Sequence, residues 1–164
     1  MMTNSETACT MKSRLLIIDD APDNLEVLTV LLRDKYKVFS YGSCENSLKD
    51  LQDIKPDLLL LDVRMFPMNG VDFLKEVRTV RGFCSIPAIA VTAMAHEAER
   101  QRFLEAGFQA IVTKPILELP NLESIVDRLL KSTQANEFDI REAAASFTFP
   151  LEACIATNCG RIRH

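Results

Sequence analysis

The chain has 164 residues, of which 48% are hydrophobic and 26% are charged, with a formal net charge of -4 at pH 7. This composition is ordinary for one globular domain and is too apolar for a disordered chain. The acidic balance argues against direct binding to nucleic acid, and lysines and arginines do not cluster among aromatic residues.

The N-terminus and the cysteines exclude further classes of protein. The opening stretch "MMTNSETACTMK" has neither the basic start nor the apolar core of a secretory signal, and no apolar run approaches the length of a membrane span. The five cysteines are odd in number, form no C-x-x-C pair and have only two histidines to join them, so zinc is not suggested. We therefore expect a cytoplasmic protein with reduced cysteines and no membrane partner.

Five short apolar runs predict the strands of one sheet. Several runs are almost entirely apolar, which is typical of strands that helices cover on both faces, as in a parallel sheet. The predicted strands are Arg14 to Asp19, Lys37 to Tyr41, Leu58 to Asp62, Ala88 to Thr92 and Ala110 to Thr113.

Stretches with helical spacing separate these runs and follow the last one. A repeated strand-helix order with right-handed crossovers gives a doubly wound α/β sheet, in which functional residues lie where strands end. The predicted helices are Pro22 to Asp34, a second from a Ser43 cap to Leu51, Val71 to Thr79, Glu97 to Ala106 with Gly107 after it, and a fifth whose apolar stripe runs from Leu122 to Leu130.

The strand-helix pattern stops after Lys131. The remaining residues are too few for a second domain, and parts of residues 151–164 match what common cloning vectors encode. We assign this part no function. The expected organisation is a flexible N-terminal segment of residues 1–11, one domain of residues 12–131, and a tail of residues 132–164 that is either partly helical or vector-derived.

Polar side chains follow four of the predicted strands. Asp19 and Asp20 end the first strand, Asp62 the third and Thr92 the fourth, and Lys114 follows the fifth. Parallel strands point these ends the same way, so we expect the side chains at one edge of the sheet. Three carboxylates there repel one another unless a cation lies among them, and Mg²⁺ favours carboxylates, water and phosphate oxygens.

This grouping predicts phosphoryl chemistry. With a metal ion holding phosphate oxygens, Asp62 is placed to attack phosphorus and form an acyl phosphate. Lys114 would neutralise charge on the phosphoryl oxygens, and the Thr92 hydroxyl would donate a hydrogen bond to them. Each residue type therefore has a separate predicted role.

The sequence resembles the receiver domains of two-component response regulators, the CheY-like family. The resemblance covers about Lys12 to Lys131 and depends on "LLIIDDAPDNLEVL", "PDLLLLDVRMFPMNGVDFL", "IAVTAMA" and "AIVTKP", in the family's order and at its separations. It implies a flavodoxin-like (βα)5 fold with strand order 2-1-3-4-5. It also implies a signalling protein that accepts a phosphoryl group on Asp62 from a sensor histidine kinase or a histidine phosphotransfer protein. Such a protein catalyses its own phosphorylation and dephosphorylation and changes its binding to a downstream protein partner.

The resemblance further implies a ligand set and an output surface. Mg²⁺ would be bound by Asp20 and Asp62, by the backbone carbonyl of Arg64 and, at least through water, by Asp19. Thr92 and Lys114 would complete the site. Signalling, and a homodimer as a further expectation, would use the face formed by the fourth helix, fifth strand and fifth helix.

Several positions depart from the family's pattern. A proline usually stands four residues after the phosphoacceptor; Phe66 is there and Pro67 follows, so we expect the loop to turn differently. Ile111 occupies a switch position that is usually aromatic, which predicts a modest shift there. Arg64 and Met94 occupy the positions best placed to orient the hydrolytic water. Met94 has no acid or amide to position water, and Arg64 is long enough to cover the phosphoryl group and bind its oxygens, so we expect slow loss of the phosphoryl group.

Two other functions stay open. A Mg²⁺-dependent aspartyl-phosphate phosphohydrolase of the haloacid dehalogenase type also uses a strand-end aspartate, but it needs an acid two residues later, where this chain has Ala21 and Arg64. A receiver-like interaction module that needs no phosphorylation is the second alternative, although all four types of site residue are present. His96 is expected at a solvated helix start rather than in acid-base catalysis.

Overall fold

The computed structural model describes residues 11–93, 96–116 and 121–133 of the chain. Strands and helices alternate along this part of the sequence. The strands are β1 (Arg14–Ile18), β2 (Lys37–Tyr41), β3 (Leu58–Asp62), β4 (Ala88–Thr92) and β5 (Ala110–Thr113). The helices are α1 (Pro22–Leu32), α2 (Cys44–Ile54), α3 (Gly70–Thr79) and α4 (Glu97–Glu105), and the helical residues 121–133 are labelled α5.

The five strands form one parallel sheet in the order β2-β1-β3-β4-β5. The predicted doubly wound fold and strand order are confirmed. The register aligns the C-terminal ends of the central strands: Ile18 pairs with Leu61, and Asp62 pairs with Val91. Residues that directly follow β1 therefore lie beside the last residue of β3.

The two faces of the sheet bury two apolar cores, because successive strand residues point to opposite faces. Leu16 of β1 lies in one core and Leu15 in the other. All five residues of β3 are buried, as the parallel arrangement with helices on both faces requires. The central helical residues are Leu51, Phe73 and Phe103 in the first core and Leu28 and Val126 in the second.

The ends of several elements differ from the sequence predictions by one to three residues. β1 ends at Ile18 instead of Asp19, and α2 continues to Ile54 instead of ending at Leu51. The reason for the second difference is that Ile54 is buried and Lys55 ends the helix in a left-handed conformation, with φ of 47°. Smaller shifts affect three other helix ends: α1 ends at Leu32, α3 begins at Gly70 and α4 ends at Glu105.

The predicted helix caps have mixed outcomes. Ser43 occupies the N-cap position of α2, but its side chain makes no capping hydrogen bond, so the predicted role of its hydroxyl is wrong. Gly107 follows α4 with φ of 102°, a conformation that glycine adopts without a steric cost. The prediction that the fourth helix ends just before Gly107 is therefore confirmed.

Most of the predicted terminal segments lie outside the described residues, namely residues 1–10 and 134–164. The described part of α5 continues past Lys131 to Thr133. The predicted boundaries of the domain and tail therefore stay predictions. Among the residues that the structure describes, no helix is both long enough and apolar enough to cross a membrane.

Candidate functional site

Asp19 lies directly after β1 and is almost fully buried, with 1% of its surface exposed. Its Oδ1 accepts hydrogen bonds from the backbone N–H of Ala21 at 3.0 Å and from Asn24 Nδ2 at 3.1 Å. Its Oδ2 accepts from Lys114 Nζ at 2.6 Å. Asp19 therefore joins the end of β1 to the start of α1 and to the loop after β5.

Asp62, the last residue of β3, is also buried, with 6% of its surface exposed. The backbone N–H of Arg64 donates to Asp62 Oδ1 at 2.8 Å, and Lys114 Nζ donates to Asp62 Oδ2 at 2.7 Å. Both carboxylate oxygens thus have a partner, yet each keeps a second lone pair for a further ligand. The carboxylate is held in one orientation at the end of the strand.

Lys114 bridges the two buried aspartates through its ammonium group. Burial opposes the charge on this ammonium, but the hydrogen bonds to Asp19 and Asp62 outweigh that effect and raise its pKa above the ordinary value. Lys114 is therefore a fixed positive charge at neutral pH. Its backbone N–H donates to the carbonyl oxygen of Thr92 at 2.8 Å, which ties the loop after β5 to the end of β4.

Thr92 ends β4 and is buried, with 1% of its surface exposed. In the register of the sheet it pairs with Thr113, the residue before Lys114. The structure thus places the four residues that the sequence groups together at one edge of the sheet: Asp19, Asp62, Thr92 and Lys114.

Asp20 completes a cluster of carboxylates that fits a divalent cation. It is exposed, and one carboxylate oxygen from each of Asp19, Asp20 and Asp62 lies within 4.8 Å of the others. With the Lys114 ammonium included, the cluster keeps a net charge of -2. Oxygen donors with excess negative charge suit a hard cation such as Mg²⁺, so the residues fit this metal ion. The carbonyl of Arg64 stays a predicted ligand.

Gly70, at the start of α3, supports the site and was missed by the sequence analysis. A Cβ atom at this position would lie 2.3 Å from the carbonyl oxygen of Asp62, which is closer than any real contact of this kind. The helix start therefore packs directly against the backbone of Asp62. The only signal in the sequence was the pair Asn69-Gly70, in which Asn69 Oδ1 accepts from the Asp72 N–H as a helix cap.

The Arg64 side chain points toward α4. Its Nη2 lies 3.4 Å from Oε1 of Glu99, and the two side chains are 55% and 35% exposed. From the sequence this guanidinium is expected over the phosphoryl group, and no pattern in the sequence points to Glu99, which lies 35 residues away along the chain. Met94, the other position predicted to affect hydrolysis, lies outside the described residues.

The structure also describes three other positions that the sequence singles out, namely Phe66, Ile111 and His96. Phe66 is 91% exposed, and the Phe66–Pro67 peptide bond is cis, as is Lys114–Pro115. Ile111 is half-buried and packs against the core that contains Phe103. His96 is exposed at the N-cap of α4 and makes no side-chain capping bond.

Comparisons with known proteins agree with this geometry. The family model described as response regulator receiver domain matches residues 15–127. The chain is 36% identical over 111 residues to an uncharacterised 14.6 kDa protein from the sodA1 3′ region of Leptolyngbya boryana, covering 66% of this chain and 85% of that protein. It is 33% identical over 107 residues to the DNA-binding response regulator MtrA of Mycolicibacterium smegmatis, covering 65% of this chain and 46% of MtrA.

Among solved structures, the receiver domain of the sensor histidine kinase PA1611 from Pseudomonas aeruginosa superposes with a TM-score of 0.66 at 26% identity. The match covers 73% of this chain and 98% of that domain, which was determined with a magnesium ion coordinated in its active-site cleft. The chain spans about half the length of MtrA but nearly all of the isolated domain.

Proposed function

Because the chain belongs to the family of response regulator receiver domains, we propose that it is a phosphorylation-dependent switch whose phosphoacceptor is Asp62. The observation that carries this proposal is the bridge from Lys114 Nζ to Asp19 and Asp62 at 2.6 and 2.7 Å. The bridge places a fixed positive charge beside a buried, strand-end carboxylate, an arrangement suited to binding phosphoryl oxygens.

The proposed reaction transfers a phosphoryl group from a phosphohistidine to Asp62. An oxygen of the Asp62 carboxylate attacks phosphorus, the new O–P bond forms, and the bond between phosphorus and the histidine nitrogen breaks. The departing imidazole takes up a proton from solvent, and Asp62 carries an acyl phosphate. Hydrolysis later breaks the same O–P bond when water attacks phosphorus, which releases inorganic phosphate and restores the carboxylate.

The other site residues stabilise the charge that this transfer brings. The Lys114 ammonium has three N–H donors, so it can exchange one aspartate contact for a phosphoryl oxygen while it keeps the other. The Thr92 hydroxyl, at the end of the neighbouring strand, is proposed to donate a second hydrogen bond to the phosphoryl group. The backbone N–H of Arg64 keeps Asp62 oriented for attack.

Mg²⁺ is the proposed cofactor, and Asp19, Asp20, Asp62 and the Arg64 carbonyl would hold it. When bound, it supplies positive charge to the phosphoryl oxygens and orients them for transfer. The net charge of -2 in the carboxylate cluster supports this proposal, as does the magnesium ion in the receiver domain of PA1611. Removing the metal ion is therefore expected to stop transfer without unfolding the protein.

The proposed partners are a sensor histidine kinase or a histidine phosphotransfer protein, and a downstream protein that distinguishes the phosphorylated form. The face formed by α4, β5 and α5 is the proposed output surface and the proposed site of a homodimer. Residues 12–131 are the proposed receiver domain.

The cytoplasmic location of the protein stays a prediction.

Mass spectrometry after incubation with acetyl phosphate and Mg²⁺ tests this function. The wild type should gain one phosphoryl group, and Asp62→Asn, which is nearly isosteric but cannot form the acyl phosphate, should gain none. Equal labelling of both proteins would remove Asp62 from the role. Continuous release of phosphate from p-nitrophenyl phosphate by the wild type would instead indicate a phosphohydrolase.

A further inference from the structure

The ion pair between Arg64 and Glu99 connects the phosphoacceptor to α4. Arg64 lies two residues after Asp62, and its backbone N–H is 2.8 Å from Asp62 Oδ1. A group bonded to the Asp62 carboxylate would therefore lie within reach of the Arg64 side chain. At present the guanidinium is held 3.4 Å from Glu99 Oε1.

A phosphoryl group is a stronger partner for this guanidinium than Glu99 is. Arginine binds phosphate oxygens through two parallel N–H donors, and phosphate carries more negative charge than a carboxylate. The contact to Glu99 is a single one at 3.4 Å between partly exposed side chains, and such pairs are weak. Phosphorylation of Asp62 should therefore draw Arg64 away from Glu99.

Without Arg64, the negative charge of the Glu99 carboxylate would be poorly compensated. Its Oε2 is buried and, within the part of the chain that the structure describes, has no hydrogen-bond partner. When a partly buried carboxylate loses its counter-charge, moving into water lowers its free energy. Since Glu99 lies in the first turn of α4, this movement would displace the start of that helix.

α4 is weakly anchored, so such a displacement costs little free energy. Phe103 is the only buried residue of α4, and the N-cap residue His96 makes no side-chain capping bond. Elements with few buried apolar contacts open at low free energy. Because α4 has so few other anchors, even a weak pair such as Arg64–Glu99 contributes to holding the first turn of this helix near the site.

We propose that Glu99 is a positioning residue that competes with the phosphoryl group for Arg64, so that the transfer of Arg64 from Glu99 to the phosphoryl group releases α4. This inference rests on phosphorylation of Asp62. It adds to the expectation that Arg64 covers the phosphoryl group, because competition from Glu99 would limit how strongly the Arg64 guanidinium retains the phosphoryl group.

A double-mutant cycle tests the competition, with beryllofluoride and Mg²⁺ as the phosphoryl analogue. Glu99→Gln should bind beryllofluoride about two- to fivefold more tightly than the wild type, the range expected for an exposed ion pair. The same substitution should slow the loss of phosphoryl label by a similar factor. In an Arg64→Ala background, Glu99→Gln should change neither quantity.

Amide hydrogen exchange of residues 97–105 gives a structural readout. In the wild type, beryllofluoride should raise exchange in this helix. In Arg64→Ala the exchange should already be raised before the analogue is added, and the analogue should change it little. Glu105→Gln is the matched control: it removes one charge from the other end of α4, where Gln101 Nε2 donates to Glu105 Oε1, and it should behave like the wild type.

The outcomes separate this inference from the proposed function. If the wild type neither binds beryllofluoride nor gains a phosphoryl group on Asp62, both the function and the inference fail. If the wild type binds and Glu99→Gln has no effect, or has the same effect with and without Arg64, only the inference is overturned. Equal effects in the two backgrounds would mean that Glu99 acts through its long-range field alone.

Discussion

Lys114 Nζ lies 2.7 Å from Asp62 Oδ2, although the two residues are 52 positions apart in the sequence. The same ammonium contacts Asp19 at 2.6 Å, so one lysine compensates two buried carboxylates. This contact makes the site a structural element as well as a chemical one, because removing the lysine leaves like charges facing each other out of water.

Replacing Lys114 with methionine should therefore destabilise the protein. We expect the free energy of unfolding to fall by about 2 kcal/mol, less than for a fully buried pair because 18% of the Lys114 side chain is exposed. Urea denaturation measures the change. Mg²⁺ should restore more stability to Lys114→Met than to the wild type, since an added cation replaces the missing charge.

Lys75→Met provides the matched control for that experiment. Lys75 pairs with Asp72 within α3, and its side chain is 66% exposed. Its loss should change the free energy of unfolding by less than about 0.5 kcal/mol. Similar effects of the two lysine substitutions would contradict the role assigned to Lys114.

Replacing Asp20 with asparagine should separate metal binding from stability. The variant should bind Mg²⁺ more weakly by calorimetric titration, because one of three clustered carboxylates is neutralised. Without the metal ion it should be slightly more stable, by about 0.5 kcal/mol, because the repulsion among the carboxylates is reduced. Asp23→Asn, an exposed aspartate in the first turn of α1, is the control and should bind Mg²⁺ as the wild type does.

Gly70→Ala should disturb the phosphoacceptor without touching its side chain. The added Cβ would lie 2.3 Å from the Asp62 carbonyl oxygen, so either the start of α3 or the end of β3 must move. We expect a loss of about 1 to 3 kcal/mol in the free energy of unfolding and slower phosphorylation by acetyl phosphate. Gly42→Ala, where no atom beyond the two adjoining residues lies within 4 Å of the new Cβ, should leave both unchanged. A fully active Gly70→Ala protein would show that the contact is unimportant.

The contribution of Asp127 to the stability of the protein should be lost at acidic pH. Hydrogen bonds from Lys35 and then from Tyr36 lower the pKa of Asp127 below its ordinary value of 3.8. A lowered pKa means that the stabilisation is fully present above about pH 5 and is lost as the pH falls through the folded-state pKa.

Asp127→Asn should remove this pH dependence. Its free energy of unfolding should be below that of the wild type at pH 7, by less than about 1 kcal/mol because the pair is partly exposed. The difference should shrink when the pH is lowered toward 3. Denaturation curves at several pH values measure it, and a difference that grows on acidification would have the wrong sign.

The sequence was sufficient to predict both the fold and the grouping of the site residues, because both follow from the apolar runs that form the strands. Runs such as Leu58 to Leu61 are short and apolar at every position, which is typical of strands buried on both faces. Parallel strands then place their following residues at one edge, so the proximity of Asp19, Asp62 and Lys114 follows from topology alone.

The contacts that sequence reasoning missed depend on local geometry. The Arg64–Glu99 pair requires particular rotamers of two long side chains 35 residues apart, and no periodicity encodes them. The approach of Gly70 to Asp62 depends on how one loop returns to the sheet. The extra turn of α2 depends on the left-handed conformation of Lys55, which residues other than glycine rarely adopt.

Main-chain atoms supply much of the framework that holds this site. The N–H groups of Ala21 and Arg64 orient Asp19 and Asp62, and the carbonyl of Thr92 holds the loop that carries Lys114. Because every residue type except proline offers the same N–H, the side chains at positions 21 and 64 are free to change without disturbing these bonds. The loops around the reaction centre can thus diversify for partner choice or signal duration while the chemistry they surround stays the same.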